Sequence, residues 1–443
     1  MRRSRRSFLS AAAFLTAGAM TRSHAEEFQF VANYDESKVP KFSLPDPLQF
    51  ENGSPVTTSE EWPPRRAEIV EMVTRLMYGN IPPFMRAHSI HTETLESCDD
   101  AFEGTARRRQ IRLYLTEKQA RPYVDLLIYL PRERPKATFV GLNFQGNAAT
   151  TTDPAVHLPA REPWQGDQKQ GSRGAQKNRW CFEQVTASGC ASVTADYCDL
   201  EPDFDDPTRF DRIVDWYGTG DSHNERAFFQ RDDSCGVIAE WAWGLSRILD
   251  YLQTIPETLD GNRVIVHGHS RLGKTSLLAG AMDERFAGVI SNDSGAGGAA
   301  LSKRAFGETV WRLNNSFPHW FCRNFRQFSN NESALPFDQH EVIALCAPRP
   351  VLVASAEKDE WADPRGEFLS TVFAEPVYHL LGRRGLGVEL SEFETDGMPA
   401  LPPLEQPVGV GELRYYIRRG VHDVTPYDWE QWLNFMGNRE WTS

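Results

Sequence analysis

The sequence predicts an α/β fold built as a three-layer αβα sandwich, with helices on both faces of a mostly parallel central sheet. Two observations predict it. Apolar strand-like runs alternate with helix-period stretches from residue 136 to the C-terminal region, the pattern of a parallel sheet covered on both sides. The polar residues Ser270, Asp293, Asp359 and His422 each stand just past the end of such a run, where the loops of an open sheet build a site.

The elements follow in order. Residues 1–25, MRRSRRSFLSAAAFLTAGAMTRSHA, carry an Arg-Arg pair, a short apolar run and a small-x-Ala cleavage site. They read as a twin-arginine signal peptide, which makes the mature protein periplasmic or secreted. Residues 26–100 read as an N-terminal arm followed by a helix over 60–78, stopped at Gly79 and packed on the body. The body takes 101–443. Its first strands, 108–118 and 123–131, join through a short polar turn and form a hairpin at the antiparallel edge. The run 136–144 is the next strand, and the polar, glycine-bearing stretch 148–176 is a long surface loop near function. A short helix then leads into a strand over 189–197. GVIAEWAWGLSRILDYLQ (236–253) has the apolar spacing of a strong amphipathic helix. NRVIVHGHS is a buried strand running into a helix at SRLGKTSLLAGAMD, and three further strands end at SNDSGAGG, SAEKDEWADP and RRGVHDVTPYDW. DWEQWLNFM closes the chain as a helix.

Composition narrows the partners. Aromatic residues make up 11% and hydrophobic residues 40% of 443, ample for one large core. Removing residues 1–25 takes away five arginines and no acid, moving the formal charge from −13 to −18. Such an acidic body argues against nucleic acid as a partner, and no later segment has membrane-spanning length. The seven cysteines are odd in number and contain no CxxC, so one or more disulfides are permitted and none can be paired from spacing.

HGHSRLGK (267–274) matches two strings. GHSRLGKT fits a phosphate loop, GxxxxGK[ST]. It also places Ser270 on a strand-to-helix turn, as a nucleophile elbow does, although the second glycine falls at 273 and Leu272 takes its usual place. The late position in the chain and the lack of a later strand ending in a magnesium-holding Asp favour the nucleophile. A serine needs a base and an orienting acid. Of the histidines after it, 319, 340 and 379 have the settings of structural residues, while His422 follows a strand near the C-terminus and is the candidate base. Asp359 follows the penultimate strand and Asp293 the strand after the nucleophile helix; both are candidate acids. Arg271 stands beside the serine, placed to support an oxyanion, and Lys274 lies one helical turn on. No cluster has metal-ligand spacing, and no cofactor is expected.

Together GHSRLGK (268–274), DSGAGG (293–298), FGETVWRLNNSFPHWFC (306–322), WADPRGEF (361–368) and HDVTPYDW (422–429) resemble the bacterial glucuronoyl esterases of carbohydrate esterase family fifteen. The resemblance covers roughly residues 60–440. It implies an α/β-hydrolase fold with the catalytic domain at 101–443. It further implies hydrolysis of the ester between (4-O-methyl-)glucuronic acid of xylan and lignin-type alcohols, through a glucuronoyl-serine intermediate. Ser270 would be the nucleophile, His422 the base and Arg271 the oxyanion donor. Lys274 and Glu308 would meet sugar hydroxyls and Trp361 would pack on the ring. Members of the family differ in which strand supplies the acid, so Asp359 and Asp293 both stand, with Asp359 preferred. Insertions at 148–176 and 383–410 would line the site. The expected partner is glucuronoxylan or a lignin–carbohydrate ester, acted on by a monomer. An acetyl-xylan or other small-acyl esterase would use the same triad, and a carbohydrate-binding protein without turnover would use the same fold.

Overall fold

Nine strands form one sheet among the described residues of the computed structural model, which are 31–85, 90–117, 119–158, 163–166, 171–387 and 398–439. The signal-peptide reading of 1–25 lies outside them. The strands are β1 (His91–Asp100), β2 (Ala106–Tyr114), β3 (Tyr123–Pro131), β4 (Thr138–Asn143), β5 (Ala191–Asp196), β6 (Val264–His269), β7 (Gly288–Asn292), β8 (Val351–Ala356) and β9 (Leu413–Arg418). Their spatial order is β1-β2-β3-β5-β4-β6-β7-β8-β9. The first three are antiparallel to one another and β3 is antiparallel to β5. From β5 to β9 every pairing is parallel. This is the mostly parallel sheet of the α/β-hydrolase fold.

The alternation inside the parallel strands shows why both faces are covered. Val264, Val266, Val289, Val351 and Val353 point into one core, while their neighbours Ile265, Ile290 and Leu352 point into another. Successive side chains on a strand face opposite ways, so a run apolar at every position needs helices on each side. On the first face lie α3 (Val237–Gln253), α4 (Arg271–Met282) and α5 (Pro364–Leu380). On the second lies α6 (Pro426–Trp432), whose Trp429 and Trp432 pack against Phe139, Ile265 and Tyr416. The remaining long helices are α1 (Trp62–Val73) and α2 (Arg209–Tyr217).

One reading of the chain gains an element here. Residues 26–100 were expected as an N-terminal arm and helix packed on the body; the stretch also supplies β1, the sheet's edge strand, paired with β2 from His91↔Tyr114 onward. HTETLESCDD carries almost no apolar residues, and an edge strand that lies largely in solvent needs none. The helix of 60–78 does pack on the body: Arg65 Nη2 of α1 donates to Glu341 at 2.8 Å, and the Tyr78 hydroxyl donates to the Gly297 carbonyl at 3.0 Å. The seven cysteines are free thiols. Among the described residues no helix is long and apolar enough to cross a membrane.

Candidate active site

The turn between β6 and α4 answers the ambiguity of HGHSRLGK. Ser270 has φ 58° and ψ −130°, a left-handed conformation that non-glycine residues rarely hold. It persists because the surroundings fix it. A Cβ on Gly268 would meet the Leu272 carbonyl oxygen at 1.9 Å, so only glycine allows the strand to fold back this tightly. Leu272 does not obstruct the turn, since its side chain is buried in the core. Three of the turn's backbone N–H groups are spent internally. Ser270 N–H donates to Asn292 O at 2.9 Å, and the N–H groups of Gly273 and Lys274 donate to Ser270 O. A phosphate cradle needs those donors free, so the phosphate-loop string is a coincidence of spelling. The N–H of Arg271 opens α4, where no carbonyl of the helix can accept it.

His422 stands past the end of β9, and its Nδ1 lies 2.5 Å from Asp359 Oδ2. Asp359 follows β8 and is almost fully buried, while the imidazole is 39% exposed. That asymmetry suits a base that meets substrate on one side and a fixed carboxylate on the other. Asp293 follows β7 and does not bond His422. Its Oδ2 accepts from Arg418 Nη2 at 3.1 Å, and Arg418 is also held by Asp428 at 2.8 Å. Burial raises the Asp293 carboxyl well above the ordinary aspartate range against the pull of Arg418. His269 packs beneath the base, ring centroids 4.3 Å apart, with Nδ1 2.7 Å from Asn292 Oδ1. Burial, then the neighbouring His422, pushes its pKa well below the usual histidine value, so it is neutral. Asp293, Asp359 and His422 offer ligand atoms within 4.8 Å of one another, the one such trio among the described residues.

Two clefts meet at the serine. One, of about 370 Å³, is lined by Ser270, Lys274, Glu308, Trp361, Trp320 and His422 among others. The second, of about 490 Å³, shares Ser270, Arg271 and His422 and adds Phe144, Tyr197 and Arg179. All eight residues singled out in the sequence therefore lie at one place, since Asp293, Asp359 and Arg271 also line the first cleft. The loop 148–176 contributes Gln176 to the second cleft, while no described residue of 383–410 lines either.

Lys274 differs from expectation. It is buried, and its ammonium donates to Ser294 O at 2.8 Å, Ala296 O at 2.5 Å and Glu308 Oε2 at 2.6 Å. Three donors meet three acceptors, so the lysine holds the DSGAGG loop and Glu308, and Glu308 is left to offer an oxygen to the cleft. Glu308 reaches this point because Gly307, at φ 59°, lets its backbone lie against Trp361, whose carbonyl accepts from Glu308 N at 2.9 Å. Arg271 borders both clefts with its guanidinium between the rings of Trp320 and Phe144, 5.3 and 5.6 Å from their centroids. Its Nη1 is bound by Asp203.

Sequence reasoning missed three supporting residues. Glu367 accepts from Ser294 N at 2.7 Å and Gly295 N at 3.0 Å, fixing the loop that carries Asp293. It sits inside the quoted WADPRGEF, and its place on the buried side of α5 was the available signal. His269 adjoins the serine, yet only histidines after it were weighed. Asp203 lies among several acids in LEPDFDD, and nothing in that spacing marks one of them.

The model of the family described as glucuronyl esterase, fungi, matches residues 217–382. A carbohydrate esterase from an unknown prokaryotic organism is 42% identical over 424 residues, 91% of each chain. The structure of a promiscuous CE15 esterase from a marine bacterial metagenome is 40% identical, with TM-score 0.79 over 92% of this chain and 99% of that one. A glucuronoyl esterase from Solibacter usitatus is 38% identical, with TM-score 0.80 over 90% and 98%. The elbow at Ser270, the strand-end dyad and this likeness over almost the whole length agree: the chain belongs to carbohydrate esterase family fifteen, the glucuronoyl esterases.

Proposed function

We propose that this protein is a serine esterase that cleaves the ester joining (4-O-methyl-)glucuronic acid of xylan to lignin-type alcohols. The observation that carries the reading is the shared cleft. A strained serine and a His–Asp pair border the same space as Glu308 and Trp361, one hydrogen-bond acceptor and one apolar ring suited to a sugar.

The reaction takes two acyl-transfer steps. His422, oriented through Nδ1 by Asp359, takes the Ser270 proton through Nε2 as Oγ attacks the uronate carbonyl. The oxyanion draws on the Arg271 N–H at the start of α4, on the helix dipole and on the Arg271 guanidinium. The protonated imidazole gives its proton to the departing alcohol, and water deacylates the serine by the reverse route. Glu308 accepts from ring hydroxyls, and Trp361 packs on the sugar. Asp293, held by Arg418, lies within 4.8 Å of the dyad and takes no proton in these steps. The protein acts as an exported monomer, carried by the twin-arginine signal of 1–25 and folded before export.

Turnover of benzyl glucuronate against an aryl acetate tests the substrate, and Ser270→Ala tests the nucleophile. Preference for the uronate ester with complete loss in Ser270→Ala is expected. Preference for acetate would favour the small-acyl reading, and the marine relative is itself a promiscuous esterase. Hydrolysis undiminished in Ser270→Ala would remove the triad.

A further inference from the structure

We infer that Asp203 is a positioning residue for the reaction: it fixes the Arg271 guanidinium beside the reacting carbonyl. The inference rests on the oxyanion role given to Arg271 above. Asp203 lies beyond β5, in a stretch anchored two residues earlier, where Glu201 is paired with Arg212 and its carbonyl accepts from Trp241 Nε1 at 2.8 Å. The Asp203 carboxylate is buried and takes donors on both oxygens. Oδ1 accepts from Trp320 Nε1 at 2.6 Å and lies 2.9 Å from His319 Nε2. Oδ2 accepts from Arg271 Nη1 and from the Tyr197 hydroxyl, the latter at 3.3 Å. Burial works to raise its pKa, but the His319 bond, the Arg271 charge and the Trp320 bond outweigh it and hold the carboxyl below the ordinary aspartate range. It is therefore an anion at neutral pH.

A long arginine at the mouth of two clefts has many rotamers open to it. Here its guanidinium carbon lies 5.6 and 5.3 Å from the centroids of the Phe144 and Trp320 rings, and Asp203 fixes one amino group. Nη2 is left outside the Asp203 bond. Preorganised donors serve an oxyanion because they need no rearrangement as charge develops. The role of Asp203 is thus to make Arg271 such a donor.

The test is a double-mutant cycle on benzyl glucuronate hydrolysis. Asp203→Asn keeps the shape but turns an amide N–H toward either Arg271 or the Trp320–His319 pair. Arg271→Ala is expected to lower kcat on the order of 100-fold. Asp203→Asn is expected to lower kcat by roughly 10- to 100-fold, with KM within about threefold, as a misplaced group does. In the Arg271→Ala background, Asp203→Asn should change kcat less than about threefold. Unimpaired kcat in Asp203→Asn, with Arg271→Ala impaired, overturns the positioning role and leaves the Arg271 reading standing. An undiminished loss in the double variant also overturns it, because the effect would then run through Trp320 or His319. Full activity in Arg271→Ala overturns the oxyanion role itself. If Asp203→Asn does not fold, Asp203→Ser, which removes the charge without an amide N–H, runs the same cycle.

Discussion

The two carboxylates behind His422 make opposite predictions when each is replaced by its amide. Asp359 Oδ2 lies 2.5 Å from His422 Nδ1, and the carboxylate is 5% exposed. A buried anion at this distance holds the ring in one tautomer and stabilises the imidazolium that forms during attack. Asn in its place presents an oxygen without charge or an N–H that forces the wrong tautomer. Losing the acid of a serine triad costs about 10³- to 10⁴-fold in kcat, or roughly 4–5.5 kcal/mol of transition-state stabilisation. Asp293 makes no bond to His422, and its partner Arg418 keeps Asp428 at 2.8 Å when Asp293 is neutralised. Asp293→Asn should therefore lower kcat by less than about tenfold. The assay is steady-state hydrolysis of benzyl glucuronate at pH 7.5, with kcat and KM resolved for wild type and both variants. A larger kcat loss in Asp293→Asn than in Asp359→Asn would refute the assignment and move the triad acid to β7.

Three further outcomes are expected. Gly268→Ala drives a Cβ to 1.9 Å from Leu272 O and should destabilise the fold by about 3 kcal/mol or more, read as a fall in melting temperature. Glu308→Ala strands the buried Lys274 ammonium and should cost on the order of 3 kcal/mol, while Lys274→Met in the same chain recovers most of that stability in a denaturant titration without restoring the KM for uronate esters. Burial lowers the folded pKa of His267 to about 3, whereas the unfolded chain takes up that proton below about pH 6.5. Stability from this residue is thus lost as pH falls, and His267→Phe should lose about 2 kcal/mol less than wild type between pH 6 and 4.5, measured by urea unfolding.

Strand ends were the legible part of this sequence. Val-Ile-Val before His267 and Val-Leu-Val-Ala before Ser355 are buried on both faces, and a run apolar at every position announces that burial. Because loops at one edge of a parallel sheet converge, Ser270, Asp359 and His422 could be grouped before any distance was known. β1 was not legible, since an exposed edge strand has no apolar pattern. Asp203 and Arg418 were not legible either. Each acts through a carboxylate–guanidinium pair joining segments far apart in the chain, 203 to 271 and 293 to 418, and pairing over such separations leaves no period in the sequence.

The cations near the serine reached the right site by reasoning that the geometry revises. In a body of net charge −18 without its first 25 residues, Arg271 is expected as an oxyanion donor and Lys274 as a contact for sugar hydroxyls. In the folded protein each has a carboxylate of its own: Arg271 has Asp203 and Lys274 has Glu308. A charge so paired, buried at Lys274 and 31% exposed at Arg271, gives little long-range attraction for an anion; it supplies fixed donors and a held acceptor. That suits the reaction better than a free cation would. The substrate is an uncharged ester whose carbonyl gains negative charge only in the transition state, and the product is a carboxylate that must leave. A bare cation would bind product more tightly than substrate, whereas a paired one reserves its strongest interaction for the oxyanion that forms against it.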